Sequence, residues 1–123
     1  VLASQRQYSA LGRLPEAYPL AAAYYRLLLG ERLGFRLVET WTSYPRLGPV
    51  VIVDEPLAGT GLPRPALLGS TPGAVSWRGG QLLLHPGRAD ESYTVYDHPR
   101  VLVFRKEEAL SREELRALLV GGP

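Results

Sequence analysis

From Pro45 to Asp90 the chain carries seven prolines and eight glycines in 46 residues, about one in three. Proline lacks a backbone donor and fixes φ, and glycine weakens the interior of helices and strands, so no long regular element can cross this region. The main elements must therefore come from the flanks, and short strands are all that fits between the breakers. At 123 residues the chain is the size of one domain, and a fold of that size buries roughly two thirds of the surface its unfolded chain exposes.

Within the Gly/Pro-rich stretch, "PVVIVDEP" offers a short strand at Val50 to Val53, bounded by Pro49 and Pro56. "AVSWRGGQLLLH" reads as a hairpin turning at Arg78-Gly79-Gly80. On the N-terminal side, "VLAS" reads as a strand running into a short helix or irregular segment near residues 4 to 11. Leu20, Ala23, Tyr24, Leu27 and Leu28 form one apolar stripe at helical spacing, with Pro19 in the first turn and Gly30 or Gly34 as the stop. "FRLVETWTSY", 35 to 44, is rich in β-branched and aromatic residues and ends at Pro45. The adjacency of Leu37 and Val38 predicts either a central strand or a bulge. Towards the C-terminus, "SYTVY" alternates and "RVLVFRK" is an apolar strand. In "SREELRALLVGG", Ser111 and Glu114 have capping-box spacing ahead of a narrow Leu115, Leu118, Leu119 face. The order predicts an α/β or α+β fold: a small, mostly β sheet with two main helices packed largely on one face and a Gly/Pro-rich β-hairpin insertion at 46–89. Residues 1–123 form a single soluble domain in this reading.

Absent residue types exclude whole chemistries. Without cysteine there is no disulfide framework, thiolate metal site or Cys nucleophile. Methionine and asparagine are also missing, and Lys106 is the lone lysine beside thirteen arginines, a usage expected of a high-GC and heat-adapted source. The net charge is only +2, and the arginines are scattered from Arg6 to Arg116 rather than set in a basic stripe, which speaks against nucleic acid as a partner. No apolar run reaches the ~18 residues that span a bilayer, and nothing resembles a cleavable signal peptide. A chain that opens on Val1, directly in a strand-like run, is expected to be a piece of a longer protein.

The densest cluster of reactive residue types is "DESYTVYDHPRVLVFRK", 90 to 106. Asp97 and His98 are neighbours, and on an extended segment neighbours project to opposite faces, so they cannot orient one another as an acid–histidine dyad. Pro99 holds His98 out of the helical region and favours a tight bend, in which Asp97 bonds nearby backbone N–H groups. The cluster is therefore read as structural. With two histidines (His85, His98), three aspartates and no helical pair of ligands, no metal site is expected, nor any other cofactor. His85, before Pro86, is expected in a loop facing solvent. No G-x-S-x-G elbow presents a serine nucleophile, and "GTGLPRP" has neither dinucleotide-binding nor P-loop spacing. The acidic pairs at 54–55 and 90–91 are expected to be solvated loop ends. Tyr24, Tyr25 and Trp41 have the makings of a sugar-stacking platform, but their spacing places Tyr24 and Trp41 first in the core.

Taken together, "YPLAAAYYRLLLGERLGF", the "SYP" at 43 to 45 and "ADESYTVYDHPRVLVFRK" resemble one family. It comprises bacterial and archaeal polytopic membrane proteins with a so-called YYY domain, uncharacterised but similar to membrane-embedded glycosyltransferases that use lipid-linked sugars. The matching positions are Tyr18-Pro19, Tyr24-Tyr25, Gly30, Leu33-Gly34-Phe35, Tyr44-Pro45, Asp90-Glu91-Ser92, Tyr96-Asp97-His98-Pro99 and Val101. The resemblance implies that this chain is the soluble tail following the transmembrane helices, on the extracytoplasmic face of the membrane. It implies also that the acidic catalytic residues lie elsewhere in the parent protein, so none is carried over here. The stretch between Arg46 and Arg88 is longer than the family's common pattern.

The expected function is accordingly that of a non-catalytic extracytoplasmic domain of a multi-pass glycosyltransferase-like protein. Its partners would be the transmembrane part of its own parent and a glycan or lipid-linked sugar, and its role to assist acceptor binding or to stabilise the membrane part. The alternative is a stand-alone binding module, with carbohydrate as its candidate ligand, that uses the 46–88 loops as its recognition surface.

Overall fold

The structure is a computed structural model that describes residues 1–3, 5–11, 14–69, 73–87 and 100–121. The fold is α+β. Helices α1 (Gln5–Leu11) and α2 (Pro19–Leu29) are followed by strands β1 (Phe35–Trp41), β2 (Arg46–Leu47) and β3 (Val50–Asp54) and a 3-10 turn at Ala66–Leu68. Strands β4 (Val75–Arg78), β5 (Gln81–Gly87) and β6 (Val101–Lys106) and helix α3 (Arg112–Val120) complete it. The strands divide between two sheets, an antiparallel β1–β6 pair and a four-stranded sheet ordered β2-β3-β5-β4, in which β3 and β5 run parallel.

The first sheet carries the core. Leu2 bridges to Leu102 from the far side of β6, so the expected "VLAS" strand is reduced to a single pair, and among the described residues β1 pairs with β6 alone. The anomaly at Leu37-Val38 is a bulge: Leu37 pairs with Phe104 and Glu39 with Val103, which leaves Val38 as the extra residue. Its consequence is large. Counting by twos from Leu37 would turn Glu39 and Trp41 inward, whereas the bulge turns Thr40 inward opposite Leu102 and sends Trp41 out beside Val101. Trp41 is thus mostly exposed, contrary to the expectation that it packs in the core.

Helix α2 begins on Pro19 and buries only the C-terminal part of its expected stripe, Leu27 and Leu28. Leu20 and Tyr24 are exposed, while Ala22, Leu27, Leu28 and Leu29 are buried. Its last turn is wedged between two apolar clusters, so it is covered all round, while its first turns lie at the surface. One cluster joins Leu29 to Tyr8, Leu37, Leu57, Leu62 and Leu102, and the other joins Leu27, Leu28 and Leu33 to the Leu115, Leu118, Leu119 face of α3. The α3 cap forms as its spacing predicts: Ser111 Oγ accepts from the Glu114 N–H and Glu114 Oε2 accepts from the Ser111 N–H. Past α2, Gly34 takes φ +72°, and its carbonyl accepts from Glu107 and Glu108, tying the start of β1 to the end of β6. A side chain at Gly34 would run into the Glu108 carbonyl.

In the second sheet, β4 and β5 form a hairpin whose turn residues Gly79 and Gly80 both have positive φ, the geometry that matches strand twist in a two-residue turn. His85 lies on β5, half-buried and 3.1 Å from Ser76 Oγ, so it is a strand residue in a hydrogen bond rather than a solvent-facing loop residue. The Gly-rich turn after β3 is likewise part of the interior. Thr60 Oγ1 donates to the Leu57 carbonyl and accepts from the Leu62 N–H, which delivers Leu57 and Leu62 into the core cluster.

Candidate functional site

A polar centre lies where the ends of the two sheets meet. Strand β3 is an unbroken apolar run, and its C-terminal end carries Asp54 and then Glu55 into the interior, where they are only 2 % and 6 % exposed. These are the residues expected to be solvated loop ends. The Glu55 N–H donates to the Gly87 carbonyl at the end of β5 (2.8 Å), which fixes the carboxylate beneath the sheet. Arg100, immediately before β6 and 5 % exposed, enters from the other sheet.

Glu55 is gripped by two guanidinium groups. Arg64 Nη1 is 2.5 Å from Oε2, and Arg100 Nη1 is 3.5 Å from Oε1. Arg64 is itself tied down, donating to the carbonyls of Gly69 (2.6 Å) and Leu68 (3.2 Å). Arg100 Nη2 donates to the Tyr44 hydroxyl (2.7 Å) and to the Asp54 carbonyl (3.2 Å). Burial alone would lower the Arg100 pKa, but the Tyr44 oxygen and the Glu55 carboxylate outweigh it, and the guanidinium is held charged. Tyr8, fully buried in α1, completes the centre. Burial pushes its phenol well above the usual range against the opposing pull of Arg100, and its hydroxyl has no hydrogen-bond partner among the described residues.

Beside this centre is a cavity of about 220 Å³, lined by Thr40, Thr42, Tyr44, Glu55, Arg64 and Arg100, with Val53, Leu67 and Leu68. The bulge at Val38 turns Thr40 into its wall, and Thr42 and Tyr44, from the irregular segment that follows β1, line the same side. The charged groups of the wall already bind one another or backbone carbonyls. The arrangement is that of an internal clamp joining β3, the 64–69 turn and β6, with hydroxyls left facing the cavity.

Of the residues singled out in the sequence, Glu91, Ser92, Tyr96, Asp97, His98 and Pro99 lie outside the described residues. Tyr24 and Tyr25 form an edge-to-face pair, with centroids 5.3 Å apart and planes at 74°. Tyr25 packs on the core and Tyr24 is exposed, and neither lines the clamp's cavity. Arg64 and Arg100 are not singled out in the sequence, and Glu55 enters there only as half of an acidic pair expected in solvent. A signal for Glu55 and Arg100 is present, since charged residues at the end of one unbroken apolar run ("VVIVDE") and the start of another ("RVLVF") are carried toward the interior by the strands they adjoin. Among the described residues no group of three or more potential metal ligands is gathered, and no helix is long and apolar enough to cross a membrane.

Fold and site define an α+β domain closed by an Arg–Glu–Arg clamp in which Glu55 and Arg100 are buried. No family model, curated protein or solved structure matches the chain.

Proposed function

We propose that this chain is a non-catalytic extracytoplasmic domain of a multi-pass, glycosyltransferase-like membrane protein, helping to position an acceptor or lipid-linked glycan or to brace the membrane part. The observation that carries the reading is the hydrogen bond between Tyr44 and Arg100. Tyr44 belongs to one of the segments that resemble the YYY-domain family, and Arg100 directly follows the His98-Pro99 of another. Two segments that carry the resemblance thus meet at an internal clamp whose charges are engaged with one another, which suits a scaffold better than a reaction centre. The test is an assay of the isolated chain with a lipid-linked sugar donor and a range of acceptors. No transfer is expected, and robust turnover would sink the proposal.

A second reading, a carbohydrate-binding module, draws on the cavity beside the clamp, where Glu55, Arg64, Leu67 and Leu68 come from the 46–88 stretch and Thr40, Thr42 and Tyr44 add hydroxyls. Saturable glycan binding by the isolated chain that Thr40→Val and Thr42→Val weaken together would favour it over a bracing role.

A further inference from the structure

The four-stranded sheet has one face that is apolar from edge to edge. Pairing places Leu47 of β2 opposite Val50 and sets Ile52 of β3 beside Leu84 of β5. It also sets Trp77 of β4 opposite Leu82 and Val75 opposite Leu84. Directly paired residues share a face, so these side chains form one continuous surface. None of them belongs to either core cluster. The two edges are the most open, Leu47 at 83 % and Trp77 at 67 % exposure, with Val75 exposed beside Trp77 on β4 and Ile52 exposed on β3. A solvated sheet face ordinarily alternates to polar residues, and this one does not.

We propose that this face is the interface of a two-fold symmetric dimer of the chain, two sheets packed face to face. The argument is one of area and shape. The four exposed residues present on the order of 500 Å² of apolar surface, as much as the largest patch of a typical monomer. Two such faces remove about 1,000 Å² from water, the level at which a specific interface begins. A two-fold axis lying between the sheets and running along the strands sets β4 of one copy over β2 of the other. The bulky Trp77 then meets Leu47 at both edges, with Val75 beside it, and Ile52 of each copy lies over Leu84 of the other between them, as in aligned sheet packing. The pairing does not depend on the glycosyltransferase-like reading, and failure of either leaves the other standing.

Light scattering and sedimentation equilibrium of the whole chain, from about 1 to 100 µM, are expected to show a monomer–dimer equilibrium of the affinity a small interface supports. Trp77→Glu should weaken it roughly tenfold or more, whereas Trp41→Glu, an equally exposed tryptophan on the other sheet, should not. Because the chain has no cysteine, mixing Trp77→Cys with Leu47→Cys protein should yield a disulfide-linked heterodimer under mild oxidation. Far-ultraviolet circular dichroism checks that each variant folds. A monomer throughout the range, or a dimer untouched by Trp77→Glu, overturns the proposal. So does binding of the wild-type chain, but not Trp77→Glu, to phosphatidylcholine/phosphatidylglycerol vesicles, since the face would then be a lipid surface.

Discussion

Glu55 and Arg100 meet inside the domain at 3.5 Å, each with less than a tenth of its side chain exposed, although they come from different sheets and distant parts of the chain. A buried ion pair of this kind gives little net stability over a well-packed apolar pair, but loss of one member strands the other without water. Glu55→Gln should therefore cost about 3–5 kcal/mol, read by chemical denaturation, because it leaves Arg100 buried without its carboxylate. Adding Arg100→Met to Glu55→Gln should recover part of that loss, since the stranded guanidinium is then gone. A double variant less stable than the single one would contradict the clamp.

Tyr8 yields the clearest pH dependence. Its folded pKa is raised, so between the unfolded value of about 10 and the higher folded value the native chain holds a proton that the unfolded chain releases. Its contribution to stability is therefore level below about pH 10 and falls as pH rises further. Tyr8→Phe should flatten that decline. At neutral pH it should be neutral or stabilising by up to about 1 kcal/mol, because it removes a buried hydroxyl that has no partner among the described residues. Urea midpoints of both proteins at neutral and alkaline pH are the measurement.

The bulge at Val38 can be tested by deletion. Removing Val38 leaves Leu37 opposite Phe104, Glu39 opposite Val103 and Thr40 opposite Leu102 in a regular ladder, so the inward set is unchanged. The cost should be on the order of 1 kcal/mol, from lost local twist. Inserting an alanine after Thr40 instead moves Trp41 out of register with Val101 and displaces the segment that carries Tyr44, which breaks the Tyr44–Arg100 bond, and should cost clearly more. Thermal melts of the two variants decide the order.

Helix α3 responds to acid through its cap. Hydrogen bonds from Ser111, the backbone N–H first, hold the Glu114 carboxyl below the usual carboxylate range. A depressed folded pKa means the stabilisation is present above the unfolded value and is lost as pH falls through the folded one. Fraying of α3 is thus expected on acidification below about pH 4, seen as faster amide exchange at Leu115 to Leu119. Ser111→Ala, which removes the other half of the box, should cost about 1 kcal/mol at neutral pH.

How far the chain could be read in advance depended on whether the cause was local. The α3 cap, the Pro19 start of α2 and the turn at Gly79-Gly80 rest on spacing and on the φ preferences of single residues, and each is legible in the sequence. The face of α2 is not, because which of its leucines are covered depends on α3 and on β6, elements far along the chain. The acidic pair at Asp54-Glu55 looked solvated for the same reason: adjacent acids before Pro56 suit a loop end, and only the arrival of Arg64 and Arg100 makes their burial tolerable.

The sequence by itself determined a mixed helix-and-strand fold, the short strands forced by proline and glycine, the absence of thiol chemistry, and an anomaly at Leu37-Val38. It could do so because propensity, capping and breaker chemistry act over a few residues. Tertiary structure alone decided that this anomaly is a bulge that turns Thr40 inward and Trp41 out, that the strands divide between two sheets, and that Glu55 lies between two arginines. Those outcomes rest on strand pairing and on charges brought together across the chain, where the free energy belongs to the contact and to neither segment alone.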